Sequence, residues 1–465
     1  MYWKFSAILT TALGLLAAGR AFTSYASVKP ILDQYRERLP AELHNTDEAH
    51  WLAWARREDS SIRARLQQGD LDSMVNLLLY GTSFTKQPRI SMEGEGIAQA
   101  SKSGVLRARV DDLVSGLRSP GDNERLIFLQ QLLRSEGLDS EASDGPRQIG
   151  VFILKNLQRV VQERETIAER AANAKPIAPA DDPSSLLDRS SLFRDRGLSL
   201  DTGIFPGFSI EQTLRDLEAR GILREGQVSR VAVIGPGLDF IDKNEASAFD
   251  YYPEQTLQPF ALYDSLVRLR LAKANAVSMS ILDISPQVIE HVQRARDRAK
   301  KNIGYVIQLP RDAALPGPPD LIGYWKSLGD QVGAAVAPIT PPRIFQGPTR
   351  SIQTLETRAV RIRPEVVLAC EPIDLDIVLE RLNLPATERF DLIVATNIFV
   401  YYDAFEQTLA LENAGAMLKP GGLLLTNDRL PPAPDGSMRL AGITVVPFDS
   451  PAATARQAVG WYQKQ

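Results

Sequence analysis

Apolar positions follow two regimes along this chain. From Ser27 to about Lys175 they recur three and four residues apart among many charged ones, the spacing of amphipathic helices. The stretch from Glu48 through Trp51 and Trp54 to Leu66 reads as one helix. Asp70 or Asp72 then caps a second over Met74–Tyr80, which Gly81 ends. Further helices are expected at Gly104–Leu117, Asn123–Glu136 and Arg147–Ala174. Rings placed like Trp51 and Trp54 pack into a helical core more often than they stack on a ligand. Three prolines between Lys175 and Pro183 break the periodicity. The expected division is therefore a helical domain over 27–175, a linker over 176–195 and a second domain over 196–465.

In that second domain the period changes. After a helix at Ser209–Gly221 come short apolar, β-branched runs alternating with helical stretches, the pattern of a parallel sheet covered on both faces. Arg230–Ile234 is the first strand, and it runs into Gly235-Pro236-Gly237-Leu238-Asp239-Phe240. Glycines just past a strand let a ligand approach the backbone, since no Cβ intervenes. A third glycine of the dinucleotide fingerprint would fall at Phe240, and Asp239 beside a diphosphate would repel it. A cofactor carrying positive charge suits this turn better. A helix at Thr256–Ala274 leads to the strand Ala276–Leu282, whose tip Asp283 is placed to accept hydrogen bonds from ribose hydroxyls. Ser285 and Pro286 open the next helix, on which Glu290 and His291 read as solvated surface. Glu365–Cys370 is expected as the third strand, followed by Glu371-Pro372. Phe390–Ala395 is the fourth, ending in Thr396-Asn397. A helix over Ala404–Met417 and the segment Leu418–Gly422 lead into a fifth at Leu423–Thr426. Insertions are expected at 238–253, beside any ligand at the strand ends, and at 309–363, a lid or a peripheral extension that includes Tyr324-Trp325.

Composition narrows the chemistry. The 53 basic and 57 acidic residues nearly balance, so no general grip on nucleic acid is expected. One cysteine and three histidines leave no cysteine cluster or histidine-rich set for a metal, and none is expected. Acid–base work falls to carboxylates, Tyr or Lys. The first 26 residues differ from the rest: Lys4 precedes an apolar run from Phe5 to Ala18, and no acidic residue occurs before Asp33. Such a segment fits either a secretory signal cleaved before Ser27 or an uncleaved anchor giving membrane association through residues 1–26.

The glycine turn, the acidic second-strand tip, the acidic residue after the third strand, "FDLIVATN" and "LKPGG" occur in the order of class I S-adenosylmethionine-dependent methyltransferases. Residues from about Val228 to Gln465 resemble that family. The resemblance implies a mostly parallel, doubly wound, seven-stranded α/β sheet preceded by the helical domain. It implies S-adenosylmethionine as cofactor, with Gly235 and Gly237 under its methionine portion, Asp283 on the ribose, and Glu371 with Pro372 flanking the adenine. Two departures stand out: Val233 occupies a position that is often acidic in the family, and Asp239 replaces a glycine. Asp239 is expected to supply the amino-group contact instead. The segment after the fourth strand, where acceptors bind in the family, offers Asn397, Tyr401 and Tyr402 as catalytic or acceptor contacts. Its N-x-x-x-Y-[FY]-D spacing is similar to chemotaxis-receptor methyltransferases, but Thr396 stands where those have Arg, and the acceptor stays unidentified. The rival readings are a non-catalytic protein that keeps the fold to bind a nucleoside or partner, and a NAD-linked oxidoreductase, for which "LKPGG" has no role. Catalysis would put an anchored protein on the cytoplasmic face.

Overall fold

Every strand of the main sheet carries apolar residues to both faces, and this dictates the layers. In the computed structural model, which describes residues 19–92, 94–173, 193, 196–202, 205–238, 253–311, 318–339, 357–448 and 456–465, the chain runs as follows. A short strand β1 (Arg20–Phe22) precedes helices α1 (Tyr25–Tyr35), α2 (Glu48–Tyr80), α3 (Gly96–Lys102), α4 (Val105–Arg118), α5 (Glu124–Ser135), α6 (Gly145–Asn173) and α7 (Phe205–Ala219). Then come β2 (Arg230–Ile234), α8 (Gln258–Arg268), β3 (Ser278–Asp283), α9 (Pro286–Ala299), β4 (Tyr305–Pro310), α10 (Pro319–Ser327), β5 (Gly333–Val336) and β6 (Thr357–Ile362). The chain finishes with α11 (Pro364–Ala369), β7 (Cys370–Asp374), β8 (Glu380–Leu382), β9 (Phe390–Ala395), α12 (Ala404–Met417), β10 (Leu418–Thr426), β11 (Met438–Pro447) and β12 (Arg456–Lys464).

Seven strands form one sheet in the order β11-β12-β10-β9-β2-β3-β7, and β12 alone runs opposite to the other six. This is the expected doubly wound α/β sheet. Alternation splits β2 between two cores: Val231 and Val233 join one with α7 and α8, and Ala232 and Ile234 the other with α1, α2 and α12. After β7 the order reverses, and β9 returns to the far side of β2. The crevice beyond the carboxyl ends of β2 and β9 is therefore the place for a ligand. Asp391 at the start of β9 accepts from the backbone N–H groups of Ser229 and Arg230, and from Lys419 Nζ at 2.7 Å. The Lys of "LKPGG" thus ties β10 to β9 at the end of the sheet away from the crevice.

Four expectations are corrected. The third strand is β7, not Glu365–Cys370. Pro364 sits at the first position of α11, where its missing N–H costs nothing, and Val366 and Val367 bury as helix residues. Pro372 is tolerated because β7 is an edge strand. Second, α2 is one helix of 33 residues with no break at Asp70 or Asp72. Asp72 is buried and pairs with Arg159 at 2.6 Å and Arg196 at 3.1 Å. Third, the helical part is not set apart at the proline-rich segment, which lies largely outside the described residues. The first half of α2 buries Trp51 and Trp54 against the sheet with α1, and its second half enters a separate helical core with α4, α5 and α6. The two tryptophan rings stack at 5.2 Å as packing residues. Fourth, His291 is buried, shares a 2.7 Å hydrogen bond with Tyr305 Oη, and is pushed down to about 3 by burial, so it stays neutral.

The described part of the second insertion is built into the body: β4, β5 and β6 pair antiparallel, and Trp325 is wholly buried. Of the first insertion only Leu238 and Pro253 are described. Residues 1–18 lie outside as well, and no helix among the described residues is long and apolar enough to cross a membrane. The rest of the supposed signal is structural. β1 pairs with β8, and Thr23 is fully buried, donating to Asn413 Oδ1 at 2.6 Å and accepting from Trp51 Nε1 at 2.6 Å. A cut before Ser27 would remove these groups.

Candidate functional site

Four strand tips and two other segments enclose one cavity of about 730 Å³, its mouth included, at the topological switch. The turn after β2 supplies Gly235 and Gly237, both at positive φ (59° and 63°). A Cβ on Gly235 would strike Ile398, and one on Gly237 would lie 2.5 Å from the Leu200 carbonyl oxygen. Both positions need glycine for conformation and for space.

Asp283 at the tip of β3 lines the cavity. Its Oδ1 accepts from Ser285 N at 2.8 Å, and burial pushes the carboxyl up to about 7, against the pull of backbone donors from Ser285, Gly237 and Ile284. The tip of β7 lies at Asp374 and brings Leu375, Asp376 and Ile377 to the cavity, while Glu371 pairs with Ser280 further back on the sheet. Glu371 and Pro372 therefore do not line the site; Asp376 takes the expected place. Asp376 is fully buried, its Oδ1 accepts from Val378 N at 2.9 Å, and its Oδ2 has no hydrogen-bond partner among the described residues. Burial pushes it up to about 7 as well. The arginine-proline pair at 363–364 was the sequence signal for this shift in register, since Pro after a capping position starts a helix.

The carboxyl of Asp376 has a consequence for stability. Its value in the fold lies above the ordinary 3.8, so protonation favours the fold. That contribution is complete below about pH 4 and is lost as pH rises through about 7. Asp376→Asn is expected to raise the melting temperature of the unliganded protein at pH 8, with the gain shrinking towards pH 4. A gain independent of pH in thermal melts would contradict this assignment.

The tip of β9 brings Asn397, Tyr401 and Tyr402 to the same cavity. Asn397 holds φ at 60°, and its amide is clamped to Asn427: its N donates to Asn427 Oδ1 at 2.7 Å, and Asn427 Nδ2 donates to its Oδ1 at 2.8 Å. Asn enters this left-handed region more readily than most residues with a side chain, as Asn275 and Asn302 also do. Tyr402 is buried, with its phenol held well above the ordinary value by burial, so it forms wall and cannot serve as a base near neutrality. Tyr401 is half-exposed and packs on Phe193 at 6.0 Å. Asp239 lies outside the described residues.

Sequence reading missed the far wall. One turn of α2 reaches three strand tips. Arg63 bonds the Ile284 carbonyl at 3.2 Å and Asp374 at 2.8 Å, Arg65 bonds the Tyr401 carbonyl at 3.0 Å, and Leu66 lines the cavity. A strap, Arg196–Thr202, lies across this turn. Leu198 N donates to the Arg65 carbonyl at 3.0 Å, and Leu238 N donates to the Leu200 carbonyl at 2.8 Å. Gly69 and Gly197 meet backbone to backbone where the strap crosses, leaving no room for a Cβ on either.

The assembled site is a pocket with two buried carboxylates at adjacent strand tips, a turn with two glycines beside them, and Asn397 and Tyr401 from the tip of β9 in its lining. No family model and no curated protein matches the chain. Among solved structures it is similar to magnesium protoporphyrin IX methyltransferase from Synechocystis PCC 6803, solved with bound S-adenosylmethionine. Identity there is 8% over 56% of this chain and 81% of that one, with a TM-score of 0.26. A TehB-like S-adenosylmethionine-dependent methyltransferase from Corynebacterium glutamicum is 9% identical over 57% and 100% of the two chains, TM-score 0.23. An rRNA methyltransferase from Streptomyces viridochromogenes is 9% identical over 62% and 95%, TM-score 0.26. Likeness at this level says nothing of activity or substrate, and the strand order carries the assignment. From β2 to β12 the chain forms the mostly parallel, doubly wound seven-stranded α/β sheet that the resemblance implies.

Proposed function

We propose that the protein transfers a methyl group from S-adenosylmethionine to an acceptor that enters beside β9. The observation that carries this reading is the unpartnered Oδ2 of Asp376 next to Asp283 in one cavity. A buried polar atom without a partner is costly and calls for a donor. An adenine amino group supplies one there, and the ribose hydroxyls supply two at Asp283, so the residues fit a nucleoside cofactor. When bound, S-adenosylmethionine would supply an electrophilic methyl on its sulfonium: an in-line acceptor would bond that carbon as the carbon–sulfur bond breaks, with S-adenosylhomocysteine as the leaving group.

What the chain contributes is alignment and exclusion of water. Gly235 and Gly237 clear space for the methionine portion, Leu66 and Leu198 form apolar wall, and the clamp between Asn397 and Asn427 fixes the segment that faces the acceptor. Tyr401 is the group at the mouth able to touch an acceptor, and Tyr402 holds the segment from below. The dinucleotide reading is disfavoured because Asp201 lines the cavity beside the turn where a diphosphate would lie.

Calorimetric titration of the full chain with S-adenosylmethionine, S-adenosylhomocysteine and NAD tests this. The two sulfur nucleosides should bind and NAD should not. Binding of NAD alone, or of none of the three, would overturn the proposal.

A further inference from the structure

One guanidinium reaches the exits of both strands that carry the paired carboxylates of the cavity. Arg63 of α2 donates through Nη1 to the carbonyl of Ile284, the residue after Asp283, at 3.2 Å. The same Nη1 meets Asp374 Oδ1, two residues before Asp376, at 2.8 Å. Its Nε donates to Asp59 Oδ1, one turn earlier on α2, at 2.9 Å, which fixes the direction of the side chain. Arg63 does not line the cavity itself; Leu66, nearly one turn further along α2, does.

The two exits are also tied to each other and to β8. Leu375 N donates to the Asp283 carbonyl at 3.1 Å, and Asp376 N donates to Glu380 Oε2 at 3.1 Å. Negative charge collects there. Asp59, Asp374 and Glu380 stand behind the cavity carboxylates, opposed by Arg63 and by Arg20 of β1, which pairs with Asp374 at 3.0 Å and Glu380 at 3.2 Å. Burial is the main reason that the carboxyls of Asp283 and Asp376 lie high, and charge adds to it. Asp374 pushes Asp283 up further; Asp59 and Glu380 do the same to Asp376, and Arg63 pulls Asp376 down. Tyr402 faces both carboxylates as well, but burial keeps its phenol neutral.

We propose that Arg63 is a positioning residue for the nucleoside: from α2 it holds the exits of β3 and β7 in place and balances the negative charge gathered behind Asp283 and Asp376. The inference rests on the methyl-transfer reading above. It gives the helical part of the chain a hold on the cofactor site, because α2 continues from Arg63 into the core it forms with α4, α5 and α6.

Arg63→Gln removes the charge and keeps a hydrogen-bonding group. Calorimetry with S-adenosylhomocysteine between pH 6 and pH 9 reads the effect. The midpoint of the rise in affinity that follows ionisation of Asp283 should move up by about one pH unit, the low end for loss of an opposite charge nearby. Affinity should fall about fivefold at pH 7 and return nearly to that of wild type at pH 9. Arg63→Lys keeps the charge and should hold the wild-type midpoint. Asp374→Asn should lower the midpoint, since a negative charge facing Asp283 is removed. An unmoved midpoint in folded Arg63→Gln overturns the inference, as does a loss equal at every pH, since the side chain would then only brace the fold. A midpoint displaced as far by Lys as by Gln overturns it too. If Arg63→Gln does not fold, Asp374→Asn decides, and a midpoint that stays or rises there refutes the charge balance. A ligand-free arm separates this inference from the reading it rests on. In thermal melts at pH 8, Asp376→Asn should stabilise the Arg63→Gln protein more than it stabilises wild type, and equal gains overturn the role of Arg63. Wild type that does not bind S-adenosylhomocysteine sinks the methyl-transfer reading instead, and the melts still judge the charge balance.

Discussion

Asp283→Ala is expected to cost about 100-fold in affinity for S-adenosylhomocysteine, with the fold retained. The carboxylate would hold two ribose hydroxyls, and each hydrogen bond to a charged group is worth roughly 1.5–3 kcal/mol, about tenfold to a hundredfold. Water entering the truncated site recovers part of the loss. Because the carboxyl sits at about 7 in the unliganded fold, wild-type affinity should rise between pH 6 and pH 8 as Asp283 ionises, and Asp283→Ala should flatten that rise. Glu371→Ala provides the contrast: Glu371 is on the sheet behind the tip, and its removal should leave affinity unchanged. Calorimetry on the three proteins, with circular dichroism to confirm folding, decides the matter. A loss at Glu371 equal to that at Asp283 would place the nucleoside elsewhere.

A chain begun at Ser27 is expected to lose at least about 3 kcal/mol of stability relative to one begun at Gly19. Removal of residues 19–26 deletes β1 and the buried Thr23, leaving Trp51 Nε1 and Asn413 Oδ1 without the partners they now have at 2.6 Å. Each orphaned buried group costs roughly 1–3 kcal/mol. Arg20 is lost too, and with it the ion pairs to Asp374 at 3.0 Å and Glu380 at 3.2 Å, which tie the tip of β7 to the start of β8. Ser24, the N-cap of α1, goes with them. Denaturant melts of the two chains measure the difference. Equal midpoints would show that these residues are dispensable, and a signal cleaved before Ser27 would then be compatible with the fold.

Much of the sheet was legible from local pattern. β2, β3, β9 and β10 are apolar runs ended by a turn or a polar tip, and burial on both faces demands such runs. Asp403 and Glu406 close a capping box at the start of α12, where the helix was expected. Gly235, Gly237 and Asp283 were readable because strand ends and their turns are local features. β7 was not, because Val366 and Val367 can bury equally well from a helix or a strand. Only pairing Asp283 opposite Asp374 with β3 decided the register, and it moved the site from Glu371 to Asp376.

The amino-acid sequence by itself determined the alternation of strands and helices, the glycine turn and the acid at the second strand tip, each through neighbours a few residues apart. Tertiary structure alone decided what faces them. Asp201 meets Leu238, Leu66 meets the strand tips, and Gly69 meets Gly197 across separations that no periodicity encodes. The physical reason is that a strap has no repeating face to bury. Its path is set by where backbones can approach, at glycines, and by which buried polar groups need partners.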